Sequence, residues 1–183
     1  MKGFPLELPE VIELQPRVFA DERGWFYESF NQPAFERIVG AGHHFVQDNH
    51  SCSDTGVLRG LHYQLPPKAQ GKLVRVVAGA IFDVAVDIRR DSPTFGSWVS
   101  AELSAENRRQ LWVPPGFAHG FLSLSEGTEV LYKTTDVYAP DLERAIAWDD
   151  RDIGIQWPVV PVAPRLSPKD AEAPPLVRAE VFQ

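Results

Sequence analysis

Apolar and polar residues alternate with a period of two along most of this chain, in short runs cut by proline and glycine. That period belongs to strands, whose side chains point to opposite faces in turn. Arg23 to Phe30 alternates around Trp25, Tyr27 and Glu28. Lys72–Val77 and Ile81–Ile88 read as a hairpin around Ala78-Gly79-Ala80. In the second of these strands Phe82, Val84, Val86 and Ile88 make a wholly apolar face, and Asp83 and Asp87 share the other with Ile81 and Ala85. Further strands are expected at Trp98–Leu103, Gln110–Val113, Ala118–Leu124 and Glu129–Asp136. Only one segment has convincing helical character. Gln32–Val39 follows Asn31, a good N-cap, and ends at Gly40. After Trp157 come Pro158, Pro161, Pro164, Pro168, Pro174 and Pro175, which predict a tail wrapping the surface without regular structure. Short antiparallel strands at this spacing predict an all-β sandwich or jelly roll.

With 183 residues the chain suits one domain, 1–183, with the proline-rich tail from about 158. A domain of that size buries roughly 70% of its unfolded surface, so it needs neither disulfide nor structural metal. The single cysteine, Cys52, has no internal partner and suits a reducing compartment. The start, Met1-Lys2-Gly3-Phe4-Pro5-Leu6-Glu7, lacks the apolar run of an export signal, so a cytoplasmic protein is expected. The longest apolar run, Val76 to Val86, carries Asp83 and glycine-flanked breaks, and reads as buried strands, not a membrane span. A net charge of −7 argues against nonspecific nucleic-acid binding. It leaves room for a small anion held by a few arginines.

The richest stretch is Gly56-Val57-Leu58-Arg59-Gly60-Leu61-His62-Tyr63-Gln64. Arg59 and His62 stand three residues apart, so a regular strand would point them to opposite faces. Gly60 permits a bulge, and a bulge would bring cation and base into one cavity. A second histidine, His119, lies in Pro114-Pro115-Gly116-Phe117-Ala118-His119, which resembles the cupin pattern Pro-x-Gly-x-x-His. Metal-binding cupins add a His-x-His and a glutamate on an earlier hairpin. Here that hairpin offers His62-Tyr63-Gln64, which leaves a divalent metal short of ligands.

Without a metal, side chains must do the chemistry. Histidine titrates near neutral pH, which suits His62 to the role of general base. Lys72 shares a strand face with Val74 and Val76. It is either an edge-strand gatekeeper or, facing a cavity, a stabiliser of a developing oxyanion. Tyr132 shares a face with Val130 and Thr134, and is either a core tyrosine or a proton donor. Arg23 and Arg59 each precede a glycine and together suit a diphosphate clamp. Phe26 and Tyr138 are candidates to stack on a nucleobase. No glycine-rich phosphate loop is present.

Taken in order, the Gly56–Gln64 segment, Lys72-Leu73-Val74-Arg75, Asp83–Arg89, Ser92–Gly96, Pro115–Phe121, Tyr132–Thr135 and Leu166–Asp170 resemble the dTDP-4-dehydrorhamnose 3,5-epimerase family. The likeness runs from about Arg23 to Asp170. It implies a cupin-type β jelly roll with a few short peripheral helices, working as a homodimer without metal or cofactor. It implies a dTDP-4-keto-6-deoxyhexose substrate on the route to dTDP-L-rhamnose. The family's base falls on His62, oriented by Asp170, its acid on Tyr132, and Lys72 beside the sugar's C4 oxygen. Substrate contacts carry over to Arg23, Glu28, Gln47, Asn49, Arg59, His119, Tyr138, Glu143 and Lys169. Contacts from the Arg23–Glu28 strand reach across the dimer in this family. Asp83 is the rival partner for His62. Asp149-Asp150-Arg151-Asp152 departs from the Asp-Pro turn expected before Ile155–Pro158. The competing readings are an epimerase of C3 alone or C5 alone, a metal-dependent cupin oxygenase or isomerase, and a non-catalytic sugar-nucleotide binder.

Overall fold

A computed structural model describes residues 1–183. The strands in chain order are β1 Lys2–Pro5, β2 Ile12–Gln15, β3 Val18–Asp21, β4 Gly24–Tyr27, β5 Gln47–Ser53, β6 Leu58–Gln64 and β7 Lys72–Ala78. They continue with β8 Ala80–Asp87, β9 Trp98–Ser104, β10 Gln110–Val113, β11 Phe117–Ser123, β12 Thr128–Thr134 and β13 Glu143–Ala145. Two short α-helices accompany them, α1 Gln32–Val39 and α2 Pro168–Ala171. Six strands form one sheet in the order β1-β2-β10-β7-β12-β5, and five form a second in the order β13-β6-β11-β8-β9. This is the expected jelly roll.

The sheets face each other across a core that includes Val74, Val76 and Val130 from the first and Ile81, Ala85, Val99, Leu103 and Phe121 from the second. Period-two alternation explains the layering. On β7, Val74 and Val76 point inward, whereas Leu73 points out and packs with Phe35 of α1 and Trp112. Helix α1 begins as the sequence predicts, with Asn31 Oδ1 accepting from the Ala34 N–H at 3.0 Å. It ends at Gly40, whose φ of 98° suits glycine.

Three expectations need correction. β7 and β8 are not a hairpin: β7 pairs with β10 and β12, and β8 with β9 and β11. The Gly79 turn carries the chain from one sheet to the other, because each strand finds better long-range partners than its sequence neighbour. The strand expected at Arg23–Phe30 covers only Gly24–Tyr27, since Asn31 must then cap α1. The proline-rich tail does more than wrap the surface. Leu176, Ala179 and Val181 bury themselves against Val84, Val86 and Ile88, so the tail covers the outer apolar face of β8. Asp150, in the segment that departs from the family pattern, ties the tail down. Its carboxylate accepts from the Asp152, Ile153 and Leu176 N–H groups at 2.9, 3.0 and 2.7 Å. No helix is long and apolar enough to cross a membrane.

Candidate active site

The core does not fill the whole interior. Toward β5, β6 and β13 the inward side chains turn polar and line two adjoining cavities of about 210 and 280 Å³. Both cavities are lined by His62, Lys72, Tyr132 and Glu143. A larger cavity of about 670 Å³ lies near Arg90, Phe95 and Trp98. Its lining has Arg90 and Asp152 but no histidine, lysine or tyrosine, so chemistry and size point to different places.

Strand β6 solves the parity problem of its own sequence. His62 pairs with His119, and Arg59 with Phe121. Two residues of β6, Gly60 and Leu61, therefore oppose the single Gly120 of β11. That extra residue is a β-bulge, and it restores Arg59 and His62 to one face. Both line the 280 Å³ cavity, while Leu61 and Tyr63 pack outward under the tail. Glycine is required here. A Cβ on Gly60 would lie 2.6 Å from Gly120 Cα, and φ at Gly60 is +125°.

His62 Nε2 lies 2.5 Å from Asp170 Oδ1. Asp170 is buried and sits on α2, the one-turn helix in the tail. Ser167 positions it twice: its Oγ accepts from the Asp170 N–H at 3.2 Å and donates to Oδ2 at 2.8 Å. Burial alone would raise the Asp170 pKa, but the His62 hydrogen bond and charge, with Ser167 and Lys169, outweigh it and lower it. With Nε2 committed to the carboxylate, Nδ1 is the free nitrogen of His62. Asp83 does not partner His62. Its Oδ1 lies 2.7 Å from His119 Nε2, and both residues are buried. Burial lowers the His119 pKa, against the opposing pull of Asp83, so this imidazole is neutral at pH 7.

Lys72 extends the inward face of β7 beyond Val74 and into the cavity, as its alternation predicts. Its Nζ donates to the His62 carbonyl at 3.2 Å. Burial brings its pKa down to about 8, with Asp83 and Glu143 holding it up. At neutral pH it is still mostly a cation. Tyr132 comes from β12 opposite Asn49 and is half-buried, and burial raises its phenol pKa. The phenol is therefore protonated at neutral pH. Glu143 joins two elements at the mouth, since it accepts from Tyr138 Oη at 2.8 Å and pairs with Lys169 Nζ at 2.5 Å. Burial opposes its ionisation, but Lys169 and Tyr138 prevail and hold its pKa low. No group of three or more His, Cys, Asp or Glu side chains is arranged to hold a metal ion.

The family model for dTDP-4-dehydrorhamnose 3,5-epimerase matches residues 5–178. The dTDP-4-dehydrorhamnose 3,5-epimerase of Shigella flexneri is 59% identical over 182 residues, covering 100% of this chain and 99% of that protein. The chain belongs to the dTDP-4-dehydrorhamnose 3,5-epimerase family. A solved structure from Legionella pneumophila, a dTDP-6-deoxy-D-glucose-3,5-epimerase in complex with dTDP-4-keto-L-rhamnose, superposes with a TM-score of 0.94. It is 48% identical and covers 100% of this chain and 98% of its own. A 3'-monoepimerase from Streptomyces bikiniensis, solved with dTDP-quinovose, is more distant. It is 36% identical with a TM-score of 0.88, over 94% of this chain and 87% of its own.

The positions that the epimerase resemblance singled out do not all meet within one chain. His62, Lys72, Tyr132, Glu143, Gln47, Asn49 and Tyr138 line the 210 Å³ cavity. Arg59, His119, Lys169 and Asp170 join the 280 Å³ one. Arg23 and Glu28 line neither. Arg23 pairs with Asp21 on the β3–β4 hairpin, and Glu28 accepts from Asn31 Nδ2 at 3.1 Å. That hairpin pairs with neither sheet and leaves Phe19, Trp25 and Phe26 at 51, 58 and 69% exposure. Ser167 and Gln64 had no assigned part from sequence. Ser167-Pro168-Lys169-Asp170 is a capping-box pattern, so its Ser-to-Asp link was available as a signal. Gln64 donates to the Lys68 and Val137 carbonyls and accepts from the Ala139 N–H, which fixes the loop carrying Tyr138. Nothing in the sequence pattern marks it.

Proposed function

We propose that this chain inverts C3 and C5 of dTDP-4-dehydro-6-deoxy-D-glucose, giving dTDP-4-dehydro-L-rhamnose on the route to dTDP-L-rhamnose. One observation carries the reading: a carboxylate-oriented histidine, a buried lysine and a protonated tyrosine surround one cavity. Those are the parts required to move a proton on and off a carbon beside a ketone. The C4 ketone acidifies the protons at C3 and C5. His62 Nδ1 takes one of them while Asp170 steadies the imidazolium. Lys72 stabilises the negative charge on the enolate oxygen. Tyr132 then gives a proton to the opposite face, and the carbon is inverted. No electron changes hands, so no redox cofactor or metal is invoked.

Arg59, Gln47, Asn49, Lys169 and His119 are read as substrate contacts. Glu143 and Tyr138 flank the mouth, with the half-exposed Tyr138 ring free to stack on thymine. We further propose a homodimer in which Arg23 and Glu28 complete the partner's site. The exposed Phe19, Trp25 and Phe26 support this, because an isolated apolar hairpin gains stability only by packing on another surface. We take 1–183 as one catalytic domain, since the tail contributes both Asp170 and core residues. The unpaired Cys52 is in keeping with a cytoplasmic enzyme.

The test is hydrogen exchange in D₂O with the dTDP-4-keto sugar, followed by NMR. Deuterium at both C3 and C5 is expected. Label at C3 alone or C5 alone replaces this reading with that of a single epimerase. The double reading is favoured because the relatives named as 3,5-epimerases are the more similar, at up to 59% against 36% for the monoepimerase.

A further inference from the structure

Asp83 has no part in the reaction as drawn, yet it is a fully buried carboxylate at the back of the site. One oxygen meets His119 Nε2 at 2.7 Å, and the other, Oδ2, is buried with no hydrogen-bond partner. A buried charged oxygen without a partner is costly unless an opposite charge stands near. Three cations border the cavity. Arg59 is turned to Ser53 Oγ and the Cys52 carbonyl, at 3.0 and 3.2 Å, and Lys169 is taken by Glu143. Lys72 remains. It is buried like Asp83, and its ammonium has three donors but one protein acceptor, the His62 carbonyl.

We propose that Asp83 is a positioning residue: from the sheet opposite Lys72, its carboxylate serves as the standing counter-ion for that ammonium and anchors His119 as a neutral imidazole. The proposal rests on the reading of Lys72 as the group that stabilises the enolate. The two roles follow from one placement. The inward face of β8 points Asp83 between β11, which carries His119, and the strand across the interior that carries Lys72. With Nε2–H on Asp83, neutral His119 has Nδ1 free as an acceptor. Electrostatics agrees with the geometry. Burial pulls the Lys72 pKa down, Asp83 is the largest opposing influence, Glu143 the next, and Lys169 acts with burial. Arg59, His62, His119, Tyr132 and Asp170 are the remaining titratable groups that line the cavity with it.

Asp83→Asn tests this, because the amide oxygen can still accept from His119 while the charge is gone. The pH dependence of kcat for epimerisation is the readout. The wild-type rate should fall above pH of about 8 as Lys72 loses its proton. The Lys72→Arg enzyme assigns that limb, since guanidinium does not titrate there. In Asp83→Asn the limb is expected to move down by roughly one pH unit, with kcat at pH 8 about fivefold lower and dTDP affinity unchanged. A limb that stays at its wild-type position overturns the proposal. If that variant does not fold, Asp83→Ser carries the test. It also removes the charge and keeps an oxygen acceptor, so a limb moved to lower pH supports the proposal and a limb at the wild-type position overturns it. A wild-type enzyme without C–H exchange would instead overturn the epimerase reading itself, so the two failures are distinguishable.

Discussion

Asp170→Asn removes a charge and changes little else in shape. In the native site the carboxylate accepts a hydrogen bond from His62 Nε2–H and leaves Nδ1 bare. When His62 accepts the sugar's proton it becomes a cation facing a buried anion. A hydrogen bond of that charged kind is worth roughly 2–3 kcal/mol, so losing it slows the step about 30- to 150-fold. The amide adds a second fault. Its NH₂ can donate to Nε2, and the ring then carries its proton on Nδ1, the nitrogen that must act as base. Carboxylate-to-amide exchange in the Ser-His-Asp arrangement costs about 10⁴ for that reason. The expected loss in kcat is therefore about 10² to 10⁴. KM should change less than about threefold, because the residues proposed to hold the diphosphate and thymine lie elsewhere. The assay is the rate of deuterium uptake at C3 and C5 in D₂O under saturating substrate. A kcat within threefold of wild type would refute the assignment of Asp170 and the commitment of Nε2 to it.

Tyr132→Phe should leave abstraction by His62 possible but remove the donor on the other face. Deuterium then enters with retention, and inversion measured by NMR falls about 10²- to 10⁴-fold; inversion at the wild-type rate contradicts the acid assignment. Gly60→Ala puts a methyl 2.6 Å from Gly120 Cα, at a φ of +125°. It should cost more than about 2 kcal/mol by urea unfolding and reduce both exchange and dTDP affinity, since it disturbs the bulge that unites Arg59 with His62; a neutral effect would contradict the bulge's role. Asp87→Asn probes the anchor beneath the loop after β8. Burial would raise the Asp87 pKa, but Arg89, Ser92 and Thr94 outweigh it and lower it to about 2. A depressed folded-state pKa contributes stability above the unfolded value of about 3.8, and this is lost as pH falls through about 2. The variant should lose roughly 2 kcal/mol at pH 7, a Tm drop of about 4–8 °C, with the gap narrowing below pH of about 4. A gap independent of pH would contradict it.

Much of the fold is legible where one face of a strand is apolar. Val74 and Val76, Val84 and Val86, and the capped helix at Gln32 all read directly. Partner choice is not. Nothing local tells β7 to leave β8 and pair with β10 and β12, because those contacts join distant parts of the chain. Strand β5 escaped notice for another reason. Its inward residues Gln47, Asn49 and Ser51 line the polar cavity, so the alternation that marks a strand is absent where the site is built. The candidate site was half visible. Parity placed Lys72 with Val74, and Gly60 gave the bulge. The choice between Asp170 and Asp83 depended on a tail whose prolines conceal the one-turn helix that carries the carboxylate.

The central claim is that His62 moves the proton. The decisive measurement compares His62→Ala with wild type in D₂O, alongside dTDP binding by calorimetry. The account predicts exchange at C3 and C5 reduced at least about 10³-fold, with Kd for dTDP within about threefold of wild type. Exchange at the wild-type rate in the variant would contradict it.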